Sequence, residues 1–212
     1  MSFKNNLKLF LNESFTGLPL EIPLFYHWSI GLRFELQTAT VYESEEEYFA
    51  QTVSRAVALF EEIFLPDDEI IIVCQSLRFK RAKLGFGNYC FKQIDHLQRS
   101  EVAFKKLKRF YGNEQGNRAI FKVNAKRIDY KNILTAKANM DFPPRQPSLG
   151  LEIYFISLRN KVIFNMYDDR GVDIIASDKQ SIAKLYWKYN SWLLDYDREA
   201  MDKVFREEVI KT

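Results

Sequence analysis

The sequence predicts an α+β fold: a mostly antiparallel sheet with helices packed on one face, ending in a three-strand meander followed by helices. Three observations point to it. Residues 149–176 hold three short apolar segments separated by polar turns at Arg159-Asn160 and at Asp168 to Gly171, the pattern of consecutive hairpins. Ser44, with Glu47 three residues on, opens a run whose apolar residues recur at helical spacing as far as Pro66. Residues 24–36 alternate with period two, as a strand with one buried face does.

Taken in order, Met1 to Phe15 mixes polar and apolar residues and lacks the continuous apolar core of a signal peptide. Leu24 to Leu36 reads as one long strand. Tyr26, Trp28, Ile30, Leu32, Phe34 and Leu36 share one face, and Phe25, His27, Ser29, Gly31, Arg33 and Glu35 share the other. The helix after Ser44 carries Glu45, Glu46 and Glu47 in its first turn, where the macrodipole favours negative charge. Its apolar stripe is Phe49, Val53, Ala56, Val57, Phe60, Ile63 and Phe64. Glu69 to Gln75 is a short apolar strand expected at the sheet centre. Arg78 to Leu97 reads as a hairpin or long loop, and Ser100 to Tyr111 as a short helix with Ala103, Leu107 and Phe110 inward. Gly112, Asn113, Gly116 and Asn117 form a turn region before a strand at Arg118 to Val123.

Asp129 caps a further helix, with Ile128 and Ile133 placed as a hydrophobic staple. Pro143, Pro144 and Pro147 make residues 141–148 either a subdomain boundary or a stiff loop. The 212 residues otherwise read as one domain. After the meander, Ser177 or Asp178 caps a helix with Ile182, Leu185, Tyr186, Tyr189, Trp192 and Leu193 on its apolar side. Asp195 or Asp197 starts a last helix carrying Ala200, Met201, Val204 and Phe205.

Aromatic residues make up 15% of the chain, enough for a substantial core at this length. Cys74 and Cys90 show neither metal-ligand spacing nor a disulfide framework, so thiols in a reducing compartment are expected. No stretch approaches the roughly 18 apolar residues of a membrane span. A cytoplasmic protein with no membrane contact is the expectation. The net charge of +3 implies no partner by itself, but its distribution is uneven. Residues 43–69 hold nine acidic residues against Arg55 alone, and residues 78–131 hold fifteen basic against four acidic. Such segregation marks interaction surfaces.

Five sets of residues are candidates for chemistry. Asp168, Asp169 and Asp173 form a carboxylate set able to hold Mg²⁺ through oxygen, although a hairpin turn with Gly171 in the left-handed conformation accounts for the same residues. Asp195 and Asp197 are explained by helix capping. His27 and His96 have no histidine or cysteine at ligand spacing, so zinc is not expected. Gly85-Phe86-Gly87 lacks the flanking strand, helix and lysine of a phosphate loop. The basic stretch is the fifth: Arg78, Lys80, Arg81 and Lys83, then Lys105, Lys106, Lys108 and Arg109 on the predicted helix, with Phe86, Tyr89 and Phe91 between. Basic side chains interleaved with aromatics suit single-stranded nucleic acid and suit an acidic protein surface equally.

Two segments are distinctive as a pair. One is Leu24-Phe25-Tyr26-His27-Trp28-Ser29-Ile30-Gly31-Leu32-Arg33-Phe34-Glu35-Leu36. The other is Tyr167-Asp168-Asp169-Arg170-Gly171-Val172-Asp173-Ile174-Ile175-Ala176, followed by Leu185-Tyr186 and Trp192-Leu193-Leu194-Asp195-Tyr196-Asp197-Arg198. Together they resemble a bacterial family of unknown function, the one numbered 3885. The resemblance implies no particular activity. It marks Arg33, Glu35, Asp168, Asp169, Arg170, Asp173 and Asp197 as family-pattern residues, with an internal Arg33–aspartate pair as a structural reading. By analogy of fold and context, small α+β proteins of this kind include bacterial immunity and antitoxin proteins.

These features point to a non-enzymatic binding protein of protein-interaction, immunity or antitoxin type, engaging a protein partner such as a toxin through charged surfaces. No catalytic residue, cofactor or metal is assigned. The alternative is a nucleic-acid-binding or nucleic-acid-processing protein that uses residues 78–109. A third class, a small-molecule enzyme, would have its pocket where His27, Arg33 and Glu35 leave the sheet.

Overall fold

The computed structural model describes residues 3–38, 42–77, 84–110 and 114–206. Its helices are α1 (Phe3–Ser14), α2 (Glu45–Ile63), α3 (Tyr89–Lys92), α4 (Tyr130–Ala138), α5 (Gln180–Lys188) and α6 (Arg198–Arg206). The strands are β1 (Gly31–Glu35), β2 (Glu69–Leu77), β3 (Ala103–Phe110), β4 (Glu114–Asn124), β5 (Glu152–Ser157), β6 (Val162–Met166) and β7 (Gly171–Ala176). Among the described residues they form one sheet, ordered β1-β7-β6-β5-β2-β4-β3, with every neighbouring pair antiparallel. The fold is α+β, and the C-terminal meander β5-β6-β7 is followed by helices.

Local signals place several elements where the sequence indicates. Ser44 Oγ accepts from the Glu47 N–H at 3.2 Å and starts α2. Asp129 accepts from the Asn132 N–H at 3.1 Å and starts α4, with Ile128 and Ile133 both buried. Asp178, not Ser177, accepts from the Ser181 N–H at the start of α5. β2 lies inside the sheet, paired with β4 on one side and β5 on the other. Strands from before and after residues 141–148 are therefore direct neighbours. That proline-rich segment is held by Asn139 Nδ2 donating to the Pro147 carbonyl and by Phe142 meeting the Phe49 ring edge-on at 4.8 Å.

Two expectations are corrected. Residues 24–36 do not form one long strand: Leu24–His27 is a 3-10 turn, and only Gly31–Glu35 is strand. Leu24 and Phe25 are both buried, which consecutive residues of a half-buried strand cannot be. The Phe25 N–H donates to an Asp173 carboxylate oxygen instead of to a neighbouring strand. Residues 100–111 do not form a helix either. Ala103–Phe110 is the edge strand β3, zipped along β4, which also takes in Gly116 and Asn117. The helical spacing of Ala103, Leu107 and Phe110 is overridden by ladder hydrogen bonds to the following strand β4. Of the stretch read as hairpin or loop, Tyr89–Lys92 is a short helix and residues 78–83 lie outside the described residues.

Helices α2, α4, α5 and α6 cover one face of the sheet. Phe60 is the centre of that core: its ring lies 4.4 Å from those of Phe64 and Tyr130, 5.1 Å from Phe155 and 5.6 Å from Phe164. On the other face Ile71, Val73, Ile120, Tyr154, Ile156, Ile163 and Ile175 are covered by α1 and by Phe15, Leu18, Leu20 and Leu24. Among the described residues no helix is long and apolar enough to cross a membrane. Truncating a ring as central as Phe60 leaves a cavity that its neighbours cannot fill. Phe60→Ala is therefore expected to lower the unfolding free energy by about 3–5 kcal/mol, measured by chemical denaturation.

Candidate functional site

The strand register brings charge together at the β1 end of the sheet. Arg33 on β1 lies opposite Asp173 on β7, and Asp173 lies opposite Asn165 on β6. All three point to the α1 side of the sheet, because they share parity with Ile163 and Ile175. The Arg33 guanidinium sits 3.2 Å from Asp173 and 3.3 Å from Asp197, which precedes α6. It is flanked by the rings of Tyr26, at 5.0 Å, and Tyr167, at 5.1 Å, close enough for cation–π attraction. Tyr26 Oη also donates to Asp197 at 3.0 Å. One cation thus ties together the 3-10 turn, β1, β7 and the start of α6.

Burial works against the Arg33 charge, but Asp173 and the two tyrosines hold its pKa above the ordinary value. Asp173 is fully buried. Burial pushes its pKa up to about 6, against the opposing pull of Arg33 and of the Phe25 N–H. Burial also raises Tyr167 to about 12, helped by the Asp173 charge. The ring of Tyr167 explains Gly171. A Cβ there would lie 2.0 Å from the Tyr167 hydroxyl oxygen and 2.7 Å from the Phe34 carbonyl oxygen. Close approach, not a left-handed backbone, demands glycine, which corrects the bulged-hairpin expectation.

Beside this network opens a cleft of about 690 Å³. Arg33, Glu35, Tyr167, Asp168, Arg170 and Asp141 give it its polar lining, and Ile22, Pro23, Met140 and Leu194 its apolar lining. Asp168 closes its own turn: one carboxylate oxygen accepts from the Arg170 N–H at 2.8 Å, and the other pairs with the Arg170 guanidinium. Asp169 accepts from Tyr48 and from Gln37, reaching across to α2. Asp141, Asp168 and Asp169 each bring one carboxylate oxygen within 4.8 Å of the others. A hard cation binds through such oxygens, but the two buried members already accept hydrogen bonds from protein donors.

The seven family-pattern residues therefore meet in one place. Arg33, Glu35, Asp168 and Arg170 line the cleft, Asp173 and Asp197 neutralise Arg33, and Asp169 stands behind Asp168. The predicted set of Asp168, Asp169 and Asp173 divides: Asp141 joins the first two, and Asp173 belongs to Arg33. Asp141, Tyr26, Tyr48 and Gln37 were not singled out by sequence. His27 is exposed and is not among the residues lining the cleft. Of the basic stretch, Arg78, Lys80, Arg81 and Lys83 and the side chain of Arg109 lie outside the described residues, and Lys105 and Lys106 are exposed on β3.

The raised pKa of Asp173 has a definite sign. A carboxyl that is harder to ionise when folded stabilises the protein most below its unfolded pKa, near 4, and that contribution is lost as pH rises through about 6. The stability of the wild type relative to Asp173→Asn is expected to fall between pH 4 and 6, by on the order of 3 kcal/mol, and to level off above. Denaturation of both proteins across that range measures it; a difference independent of pH would contradict it.

Residues 7–197 match the family model described as domain of unknown function (DUF3885). The chain is 27% identical to the uncharacterized protein YnaE of Bacillus subtilis (strain 168), over 90% of this chain and 98% of that protein. No solved structure matches the chain. With the residues of the motif pair converging on one cleft and the family model spanning most of the chain, this protein belongs to the DUF3885 family.

Proposed function

We propose that the chain acts as a single α+β domain, a cytoplasmic binding protein of the immunity type, whose acidic cleft receives a positively charged side chain of a protein partner such as a toxin. One observation carries the reading. The cations of the cleft are already neutralised, Arg33 by Asp173 and Asp197 and Arg170 by Asp168. The exposed carboxylates of Glu35 and Asp141, by contrast, have no ion-pair partner among the described residues. A lysine or arginine entering the cleft would meet these two charges and stack beside Tyr167. Complementary charge of this kind sets partner choice and association rate.

The test compares wild type with the double variant Glu35→Gln/Asp141→Asn. Both positions are exposed, so the fold is expected to survive, which thermal unfolding checks. Affinity capture from the bacterial cytosol should yield a stoichiometric protein with the wild type, and the variant should lose it. Raising the salt should also release it, since exposed charges are screened. Equal capture by both proteins would overturn the reading.

A second reading, nucleic-acid binding, is favoured by the exposed Lys105, Lys106 and Lys108 on the edge strand β3. Lys105 and Lys106 leave opposite faces of the strand, so at most part of this set can follow one phosphate backbone. If it does, Lys106→Gln should reduce the salt slope of single-strand binding by about 0.7, read by fluorescence anisotropy. Absence of binding at low salt would remove the reading.

A further inference from the structure

A second pocket, of about 510 Å³, opens where the start of α2 meets the proline-rich segment, and it shares no lining residue with the acidic cleft. Tyr42, Tyr48, Phe49 and Phe142 supply four rings to it, and Ser44 and Glu45 complete the lining. Phe49 is buried, but Tyr42, Tyr48 and Phe142 are each partly exposed, and the surface on offer is mostly apolar. Successive rings meet nearly at right angles: Tyr42 with Tyr48 at 83°, Tyr48 with Phe49 at 83° and Phe49 with Phe142 at 90°. Rings set at right angles make walls around a space, not one flat stack.

The hydroxyls of the pocket are engaged within the protein. Tyr48 Oη donates to Asp169 and accepts from Gln37 Nε2. Tyr42 Oη accepts from the Thr38 N–H at 2.6 Å, and Ser44 Oγ accepts from the Glu47 N–H. Burial and the bond to Asp169 raise the pKa of Tyr48, so its ring stays neutral. What remains for a ligand is ring surface and charge. Four exposed carboxylates, Glu43, Glu45, Glu46 and Glu47, stand at the start of α2. Arg145 lies 3.8 Å from Glu45 and 3.6 Å from Glu46, and stands over the Phe49 ring at 3.9 Å. Arg55 also acts on Tyr42, but it is turned to the Trp192 ring and to the Glu35 and Gln37 carbonyls. These two cations do not balance the four carboxylates, so the mouth of the pocket is net negative. Arg145 shows in addition that this cluster of rings accepts a cation on a ring face.

We propose that this pocket binds the trimethylammonium group of a small solute, held on the rings of Tyr42, Tyr48 and Phe142 with Glu45 beside it. A quaternary ammonium carries a full positive charge, is covered by methyl groups and has no hydrogen-bond donor. It needs ring faces and negative potential and asks nothing of the hydroxyls, which matches what the pocket offers. A primary ammonium or a guanidinium would give up more hydrogen bonds to water than the one carboxylate of the lining replaces. The volume falls in the range of about 300–1,000 Å³ used for small organic ligands.

The test is NMR titration of the full chain with choline, following the aromatic ring resonances. Neohexyl alcohol, the carbon isostere of choline, has its shape without its charge, and ethanolamine has the charge without the methyl groups. Choline should bind saturably at one site, and both controls should bind at least about tenfold more weakly. Tyr42→Leu and Glu45→Gln should each weaken choline by about fivefold, the loss of one ring or one charge. Glu45 is exposed, so its variant keeps the test valid if Tyr42→Leu fails to fold. Phosphatidylcholine vesicles present the same group on a membrane and separate that source from a free solute. Four results would overturn the proposal: no saturable choline binding, either control binding as tightly as choline, unchanged affinity in both variants, or capture by the vesicles without binding of free choline.

Discussion

A guanidinium enclosed at the end of a β-sheet must be neutralised where it stands, and the cleft end of this protein is organised by that requirement. Arg33 enters from an edge strand, and Asp173 reaches it from the neighbouring strand in direct register. Asp197 reaches it from the chain entering α6, and Tyr26 comes from a turn that gave up strand geometry. Removing a partner from such a group leaves an unpaired buried charge, which costs far more than the pair contributes. The same contacts protect the edge of the sheet. The Leu194 N–H donates to the Arg33 carbonyl, and the Arg33 N–H reaches the Met201 sulfur, so β1 offers little open edge to a foreign strand.

At the far edge of the sheet β3 carries exposed lysines, the usual device against edge-to-edge association. The molecule is therefore electrostatically two-ended. Among the described residues, ion pairs saturate the cations at the β1 end and leave Glu35 and Asp141 without one, while the exposed Lys105, Lys106 and Lys108 of β3 form none. The acidic excess of residues 43–69 contributes little to either. Glu47 accepts from the Glu43 N–H at the start of α2, Asp68 pairs with Arg159, and Glu62 binds Lys184 and Lys188.

Much of this was legible in the sequence where the cause is local. The helix from Ser44, the cap at Asp129 and the meander of β5 to β7 depend on residues within a few positions of one another. Elements decided at long range were not legible. The turn at Leu24–His27 depends on Asp173, 148 residues away from Phe25, and alternating aromatics alone look like strand. β3 carries a helical spacing that only its pairing with β4 overrules. The clustered aspartates are visible as a cluster, but the register sends Asp173 to Arg33, and the fold brings in Asp141 from a segment whose prolines suggest only a boundary or a stiff loop.

The claim on which the cleft rests is that Arg33 and Asp173 act as one unit. A double-mutant cycle measures this directly, comparing the unfolding free energies of wild type, Arg33→Met, Asp173→Leu and the double variant at pH 7. The account predicts that each single variant is strongly destabilised, by about 3–5 kcal/mol, and that the double variant is no worse than either. Coupling within about 0.5 kcal/mol of zero, with the two losses simply adding, would contradict it.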